Sequence, residues 1–183
     1  MIENVISKRY AQALSGSISD EGMLNRALEN LKAFGDAFEA DRQLERFFAH
    51  PGITESKKSA LVSELCDRLQ AEKVVRNLLT MLTQRKKILF LNNIAEYFEA
   101  VVDERLNQVR VHVTSAYPLT NENMDQIKAG LHRILGKTIL IDASEDKSLI
   151  GGIQLRVGDQ VADATIKNRL AILKRTIEKE EVV

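Results

Sequence analysis

Apolar residues recur at spacings of three and four along the first 107 residues, which is the repeat of helices with one buried face. Six such stripes can be followed, over residues 5–14, 24–38, 44–48, 61–69, 74–82 and 88–106. Residues that start or stop helices lie between them: Gly16, Ser19 with Asp20, Asp41, the run His50-Pro51-Gly52, and Thr54. The sixth helix, over roughly 87–107, is expected to be the longest. The pattern therefore predicts a bundle of six helices over residues 1–107.

The pattern changes to alternation after residue 108. Val109, Val111 and Val113 alternate with polar residues, as in a strand with one buried face. Further strands are predicted over 138–143, over 153–157 and from Val161, and further helices over 120–136 and 166–177. Val, Ile and Thr number 15 in residues 1–108 and 16 in the next 58, which supports a boundary there. Residues 108–183 are thus expected to form a small β-α-β-β-β-α domain, and the fold class is α+β.

Charge and composition exclude several classes of protein. The 26 Lys and Arg residues are balanced by 26 Asp and Glu, which argues against general nucleic-acid binding. Cys66 is the only cysteine, so a disulfide scaffold is excluded. No apolar run approaches the roughly 18 residues of a membrane span, and no signal-peptide pattern opens the chain. We expect a cytoplasmic-type protein with no nucleic-acid partner and no direct insertion into a membrane.

Patterns typical of catalysis or metal binding are absent from the sequence. His50, His112 and His132 stand apart, without the grouped ligands of a zinc site. Cys66 lies within an apolar stripe, which favours a buried thiol over a nucleophile. Three carboxylates share one face of the sixth predicted helix, but no Glu-x-x-His motif accompanies them, so a solvated face is favoured over a metal site. We therefore predict no catalytic residue, no metal and no cofactor.

Two glycine-containing turns punctuate the second half. The pair Gly151-Gly152 lacks the spacing of a phosphate-binding loop, and it precedes a predicted strand. A bulge or a close approach of two backbone segments is the better interpretation. Gly158-Asp159 separates two predicted strands and is expected to form a two-residue hairpin loop.

Four segments of the chain resemble one known family. They are residues 8–14 (KRYAQAL), 48–51 (FAHP), 113–119 (VTSAYPL) and a C-terminal block, the most specific of the four, made of 149–153, 158–163 and 166–170. In this order, across nearly the whole chain, they resemble the delta subunit of F-type ATP synthases, whose mitochondrial relative is the oligomycin-sensitivity-conferring protein. The family motif to which a structural role is assigned comprises Leu149, Ile150, Gly151, Gly152, Gly158, Asp159 and Asp163.

The resemblance implies a structural role without an active site. Such a subunit links the catalytic alpha/beta hexamer to the peripheral stalk, so that rotation stays coupled to ATP synthesis. The N-terminal domain would receive amphipathic N-terminal helices of alpha subunits, and the C-terminal domain would meet the stalk b subunits. One copy per complex is expected, held peripherally at the cytoplasmic face of the bacterial inner membrane. A small enzyme with an unrecognised site and an unrelated helical adaptor are the alternatives.

The alpha-subunit helix is expected to dock in a cleft between the first and fifth helices. The candidate cleft residues are Tyr10, Ala11, Ala13, Leu14, Val75, Leu78, Leu79 and Leu82. The same stripes are also what the bundle core requires, so groove and core remain open alternatives for each of these residues.

Overall fold

The structure, a computed structural model, describes residues 2–180, with side chains described over 5–177. Over that range it contains eight α-helices and one four-stranded sheet, so the α+β class is confirmed. The chain divides into two compact units, the first ending at Leu106 and the second beginning at Asn107. Within the described residues, no helix is long and apolar enough to cross a membrane.

The first unit consists of helices. They are α1 (Ile2–Ser17), α2 (Glu21–Ala40), α3 (Arg42–Ala49), α4 (Glu55–Arg68), α5 (Lys73–Gln84), a 3₁₀ turn (Ile88–Phe90) and α6 (Leu91–Arg105). Asp41 accepts a hydrogen bond from the backbone N–H of Gln43, which confirms it as the cap of α3. The cap of α2 is Asp20, which accepts from the N–H of Met23, and not the preceding Ser19.

Two expectations about these helices are wrong. Gly16 lies inside α1, which continues to Ser17, instead of ending the helix. The sixth helix is not the longest, because α2 has 20 residues and α6 has 15. The predicted start of α6 near residue 87 is occupied by the 3₁₀ turn, whose tighter winding shortens the α-helix that follows.

One apolar core fills the first unit. Its largest fully buried side chains include Phe34, Leu79, Leu91 and Phe98, so α2, α5 and α6 all contribute to it.

The Arg105 guanidinium of α6 donates to the carbonyl oxygens of Ser15 (2.6 Å) and Ile18 (2.8 Å), which lie at the end of α1. A cation thus satisfies carbonyl groups that the end of a helix leaves unpaired.

The second unit contains β1 (Gln108–Ser115), α7 (Asn121–Leu135), β2 (Thr138–Glu145), a 3₁₀ turn (Lys147–Leu149), β3 (Ile153–Val157), β4 (Gln160–Asp163) and α8 (Ile166–Glu180). This is the β-α-β-β-β-α order predicted from the sequence. The strands lie in the order β2-β1-β3-β4, with β1 and β2 parallel and the other pairs antiparallel. Val157 pairs with Gln160, so the two-residue hairpin loop at Gly158-Asp159 is confirmed.

The sheet buries one face and leaves the other polar. Val111, Val113 and Ile139 pack with Ile127 and Leu131 of α7 on the buried face. On the opposite face, exposed polar pairs join β1 to β2. They are His112 with Asp142 (Nδ1 to Oδ2, 2.9 Å) and Thr114 with Ser144 (Oγ1 to Oγ, 3.1 Å). The alternation along β1 therefore reflects one buried face and one exposed face of the strand, as predicted.

Candidate functional site

Most of the predicted cleft residues lie in the core of the first unit. Ala11, Leu14, Val75, Leu78, Leu79 and Leu82 are each at most 7% exposed. In this unpartnered chain they are not available to another helix, so the expectation that they form a docking cleft is corrected. Their helical spacing places them on the sides of α1 and α5 that face the core of the first unit.

An open groove of about 690 Å³ nevertheless runs between α1 and α5. Its lining residues are Ile6, Arg9, Tyr10, Ala13, Met81, Arg85 and Lys87. Tyr10 and Ala13 of the candidate set line this groove, and their contact with a partner helix stays a prediction. The α1 residues follow the i, i+3, i+4, i+7 spacing of a single helix face, which lies next to the face that enters the core.

The groove combines an apolar floor with cationic residues. Met81 contributes an exposed thioether side chain, 44% accessible, and Ile6, Tyr10 and Ala13 add aliphatic and aromatic surface. The Lys87 ammonium lies 5.1 Å from the centre of the Phe90 ring, a cation–π contact that holds it in place.

Among the side chains that the structure describes, residues 5–177, the charged ones that line this groove are Arg9, Arg85 and Lys87, which are basic. Such a surface suits a ligand with apolar and acidic side chains on neighbouring positions. Its described lining residues include no pair of groups that would act as general acid and base.

Sequence reasoning missed Ile6, Arg9, Met81, Arg85 and Lys87 as groove residues. The available signal was the phase of the two helices. On α5, Met81 lies two positions after Leu79 and one position before Leu82, and Arg85 directly follows the end of the helix. A side chain one position along a helix is turned by about 100°, which is enough to move it from core to surface.

Residues of the C-terminal motif hold the start of α8 in place. Leu149 is buried, and the carbonyl oxygen of Gly151 accepts a hydrogen bond of 2.9 Å from the N–H of Ile166. Gly152 has φ of +83°, and a Cβ atom there would lie 2.5 Å from the carbonyl oxygen of Ala164. The predicted close backbone approach at this glycine pair is therefore confirmed.

Two aspartates hold the loops near the start of α8. Asp163 accepts a hydrogen bond of 2.9 Å from the N–H of Thr165, and this bond lowers the pKa of the Asp163 carboxyl group. Hydrogen bonds from Ser148 lower the pKa of Asp146 in the same way. Thr165 in turn accepts from the N–H of Asn168 (3.1 Å), as a helix-capping hydroxyl does. Asp163 of the predicted motif thus has a structural role in the first turn of α8.

The other members of the motif lie at the surface. Gly158 and Asp159 form the exposed hairpin loop. Ile150 is 56% exposed and has φ of +68°, which is unusual for a β-branched residue. Backbone strain of this kind, of order 1–3 kcal/mol, persists only where the surrounding structure enforces it.

The remaining candidates for chemistry do not come together. No group of three or more His, Cys, Asp or Glu side chains capable of holding a metal occurs in the part of the chain that the structure describes. Cys66 is fully buried, and this desolvation raises the pKa of its thiol, which disfavours the reactive thiolate.

A family model for the ATP synthase delta (OSCP) subunit matches residues 6–177. The chain belongs to this family. Its relatives include ATP synthase subunit delta of Syntrophus aciditrophicus, 34% identical over 97% of this chain and 98% of that protein. The subunit of the same name from Nitratidesulfovibrio vulgaris is 31% identical over 99% of this chain and all of the relative. Both identity and coverage are therefore high enough to compare whole chains.

The fold is also found in a solved structure. A chain of the Toxoplasma gondii mitochondrial ATP synthase hexamer superimposes with a TM-score of 0.69, at 23% identity, over 93% of this chain and 96% of that one. This likeness concerns the fold alone. ATP synthase delta (OSCP) subunits are structural stalk subunits, not catalytic ones, and the chain is therefore not an enzyme in its own right.

Proposed function

We propose that the chain is the non-catalytic stator subunit that joins the alpha/beta hexamer of an F-type ATP synthase to the b subunits of its peripheral stalk. Family membership over residues 6–177 supports this role. One copy would sit on the hexamer and resist the torque of rotation, held peripherally at the cytoplasmic face of the bacterial inner membrane. The role is the same whether the enzyme translocates protons or sodium ions.

The groove between α1 and α5 is the proposed site for the N-terminal helix of an alpha subunit. The observation that carries this assignment is an open apolar floor beside a bundle core that is already complete. An amphipathic helix lays one apolar face into such a groove, with anchors one turn apart. Met81 and Tyr10, on opposite walls, would contact those anchors.

The basic lining further restricts which helices can bind in the groove. Arg9, Arg85 and Lys87 would face carboxylates that flank the apolar stripe of the alpha-subunit helix. Charges at the edge of an interface mainly affect the association rate and its dependence on salt. Binding of the helix should therefore weaken as the ionic strength rises, mainly through slower association.

The test measures binding of a synthetic alpha-subunit N-terminal peptide to the full chain. Met81→Asp places a carboxylate on the groove floor and should weaken binding at least tenfold, since loss of a central anchor costs about 2 kcal/mol or more. Leu89→Asp is the matched control, because Leu89 is 46% exposed and lies outside the groove. It should leave the affinity within about twofold.

Three results would decide the assignment. Selective loss in Met81→Asp, with an unchanged helical melt, supports the groove. Equal binding by both variants means that the alpha-subunit helix docks on another face. If the unsubstituted chain does not bind the peptide at all, the N-terminal unit does not serve as the hexamer contact.

The C-terminal unit is the proposed contact for the b subunits. Its hairpin sheet and α7 already cover each other, whereas α8 offers apolar side chains to solvent. Co-purification of the chain with the soluble part of the b subunits tests this contact, and its absence would contradict the stator assignment.

A further inference from the structure

Met81 places an exposed sulfur-containing side chain on the floor of the groove between α1 and α5. It is 44% exposed and belongs to the groove lining. Met23 and Met124 are half-buried, and Cys66 is fully buried. Among the sulfur-containing side chains of residues 5–177, which the structure describes, Met81 is therefore the most accessible to an oxidant in solution.

The chemistry of the two kinds of sulfur favours Met81 further. A thioether is a neutral nucleophile with no proton to lose, so its oxidation to the sulfoxide depends on access and not on titration. Cys66 would react as the thiolate, and burial raises the pKa of its thiol. A peroxide in solution therefore reacts with Met81 before it reaches the thiol.

Oxidation changes what Met81 can contribute to the groove. Hydrogen peroxide transfers one oxygen atom to the thioether: the peroxide O–O bond breaks, an S=O bond forms, sulfur loses two electrons and water leaves. The thioether is flexible and apolar, whereas the sulfoxide is polar and chiral. An apolar anchor that packs on the sulfoxide must therefore remove water from a polar oxygen, which costs free energy.

The α5 side of the groove has no second apolar side chain to replace Met81. Its other described lining residues, Arg85 and Lys87, are charged. Leu78 and Leu82, the nearest leucines on either side in sequence, are 7% and 0% exposed and belong to the core. The apolar floor on this side therefore depends on the chemical state of one side chain.

The basic residues of the groove add a second effect. Arg85 lies four residues after Met81, one helical turn further along. A sulfoxide oxygen accepts hydrogen bonds, and a guanidinium group donates them. The oxidised side chain would thus compete for Arg85 with the carboxylates of a bound helix. Both effects weaken binding of an amphipathic helix that has acidic flanks.

We propose that Met81 is an oxidation-sensitive site: hydrogen peroxide converts its thioether to the sulfoxide and prevents docking of the amphipathic alpha-subunit helix, and a docked helix shields Met81 from peroxide. This inference rests on the proposed function and adds to it a chemical control of the same groove. A methionine sulfoxide reductase reverses the change, since two thiols are oxidised to a disulfide while the sulfoxide oxygen leaves as water.

The first experiment measures binding of a synthetic alpha-subunit N-terminal peptide, chosen without Met or Cys, to the full chain before and after peroxide treatment. Peroxide is removed before binding, and mass spectrometry of the digested chain locates the added oxygen. We expect oxidation of Met81 to weaken binding at least tenfold, with an unchanged helical melt, because a central anchor contact is lost. Treatment with both stereospecific methionine sulfoxide reductases and dithiothreitol should restore the affinity.

Two variants locate the effect. Each is judged by the ratio of its affinities before and after peroxide treatment, so that its starting affinity does not enter. Met81→Leu retains a similar apolar volume without sulfur, and its ratio should be close to one. Met124→Leu removes a methionine of α7 outside the groove, and it should lose affinity on oxidation as the unsubstituted chain does.

The second experiment tests the shielding. With the peptide at about ten times its Kd, about a tenth of the chain remains unbound, so oxidation of Met81 should slow about tenfold. The rate at Met124, which lies outside the groove, should not change. Equal rates at Met81 with and without bound peptide would refute the shielding and place the peptide elsewhere.

The outcomes separate this inference from the function on which it rests. If the untreated chain does not bind the peptide, the proposed alpha-subunit contact is overturned. If it binds and the Met81-oxidised chain binds equally well, the contact stands and the oxidation-sensitive site is refuted. Sensitivity that persists in Met81→Leu would assign the effect to another side chain. A melting temperature lowered by oxidation of Met81 would mean that the sulfoxide acts by unfolding the bundle, which also overturns the inference.

Discussion

Substitution of Gly152 tests how the C-terminal unit holds its last helix in place. The residue has φ of +83°, and its position is closed by the chain segment that leads into α8. A Cβ atom would lie 2.5 Å from the carbonyl oxygen of Ala164 and 3.0 Å from Cα of Thr165. Both contacts are with backbone, so no side chain can rotate away to relieve them.

Two costs add in Gly152→Ala. The left-handed backbone region costs a residue with a Cβ atom roughly 1–2 kcal/mol, and overpacking adds about 1–3 kcal/mol. The sum, about 2–5 kcal/mol, is a large fraction of the 5–15 kcal/mol that stabilises a typical domain. Gly152→Val, whose branched side chain requires still more space, should cost at least as much.

Native-state hydrogen exchange is the suitable assay, because it reports on each unit separately. The amides of Ala164 and Ile166 donate to the Ile153 and Gly151 carbonyls across the affected contact. A cost of about 3 kcal/mol raises their exchange rates roughly 150-fold, at 1.4 kcal/mol per factor of ten. Amides of the core helices in the first unit should exchange at unchanged rates.

Gly136→Ala is the matched control. Gly136 also has a positive φ, +64°, but a Cβ atom there would meet nothing within 4 Å. It should therefore lose only the conformational part, about 1–2 kcal/mol. Equal exchange in the two variants would refute the packing argument. Normal stability of Gly152→Ala with selective loss of b-subunit binding would instead make the glycine part of the contact surface.

Three further predictions concern other contacts. Arg105→Met removes the donor to the Ser15 and Ile18 carbonyls and should lower the free energy of unfolding of the first unit by about 1–2 kcal/mol, measured in urea. Cys66, whose pKa is raised by burial, should react with a thiol reagent at pH 8 at least tenfold more slowly in the native chain than in denaturant. The lowered pKa of Asp163 stabilises the folded state fully above the ordinary carboxyl value of 3.8, and this stabilisation is lost as the pH falls through the folded value. Asp163→Ala should therefore flatten the acid-induced loss of stability of the C-terminal unit, and an unchanged slope would contradict the assigned hydrogen bond.

The order of the helices and strands was predictable because it depends on local periodicity. The alternation of Val109, Val111 and Val113 indicated a half-buried strand, and two of these residues are fully buried against α7. Thr120 and Gly136, expected to start and end the next helix, occupy its N-cap and C-cap. Gly16 failed as a stop signal, because a glycine ends a helix only where the chain adopts a left-handed backbone, and α1 continues through it.

The groove could be predicted only in part, because burial depends on how helices are rotated against one another. Leu79 and Met81 are two residues apart on α5, yet Leu79 is fully buried and Met81 is 44% exposed. Both are apolar, so hydrophobicity alone does not rank them, and only their phase on the helix separates them. The rotation of α5 is set by contacts with α4, which directly precedes it, and with α1 and α2, which are distant along the chain.

The separation between core and groove also determines how this protein can be tested. The core of the first unit is complete without Met81, Arg85 or Arg9, since none of them belongs to its buried cluster. Substitutions at these positions can therefore change binding without unfolding the bundle, whereas Leu79→Asp would bury an unpaired charge and unfold it. The same reasoning applies to Leu170 on α8, which is exposed in the unpartnered chain. A chain with its own core in each unit can carry binding contacts on side chains that folding does not need, so each contact can be removed singly.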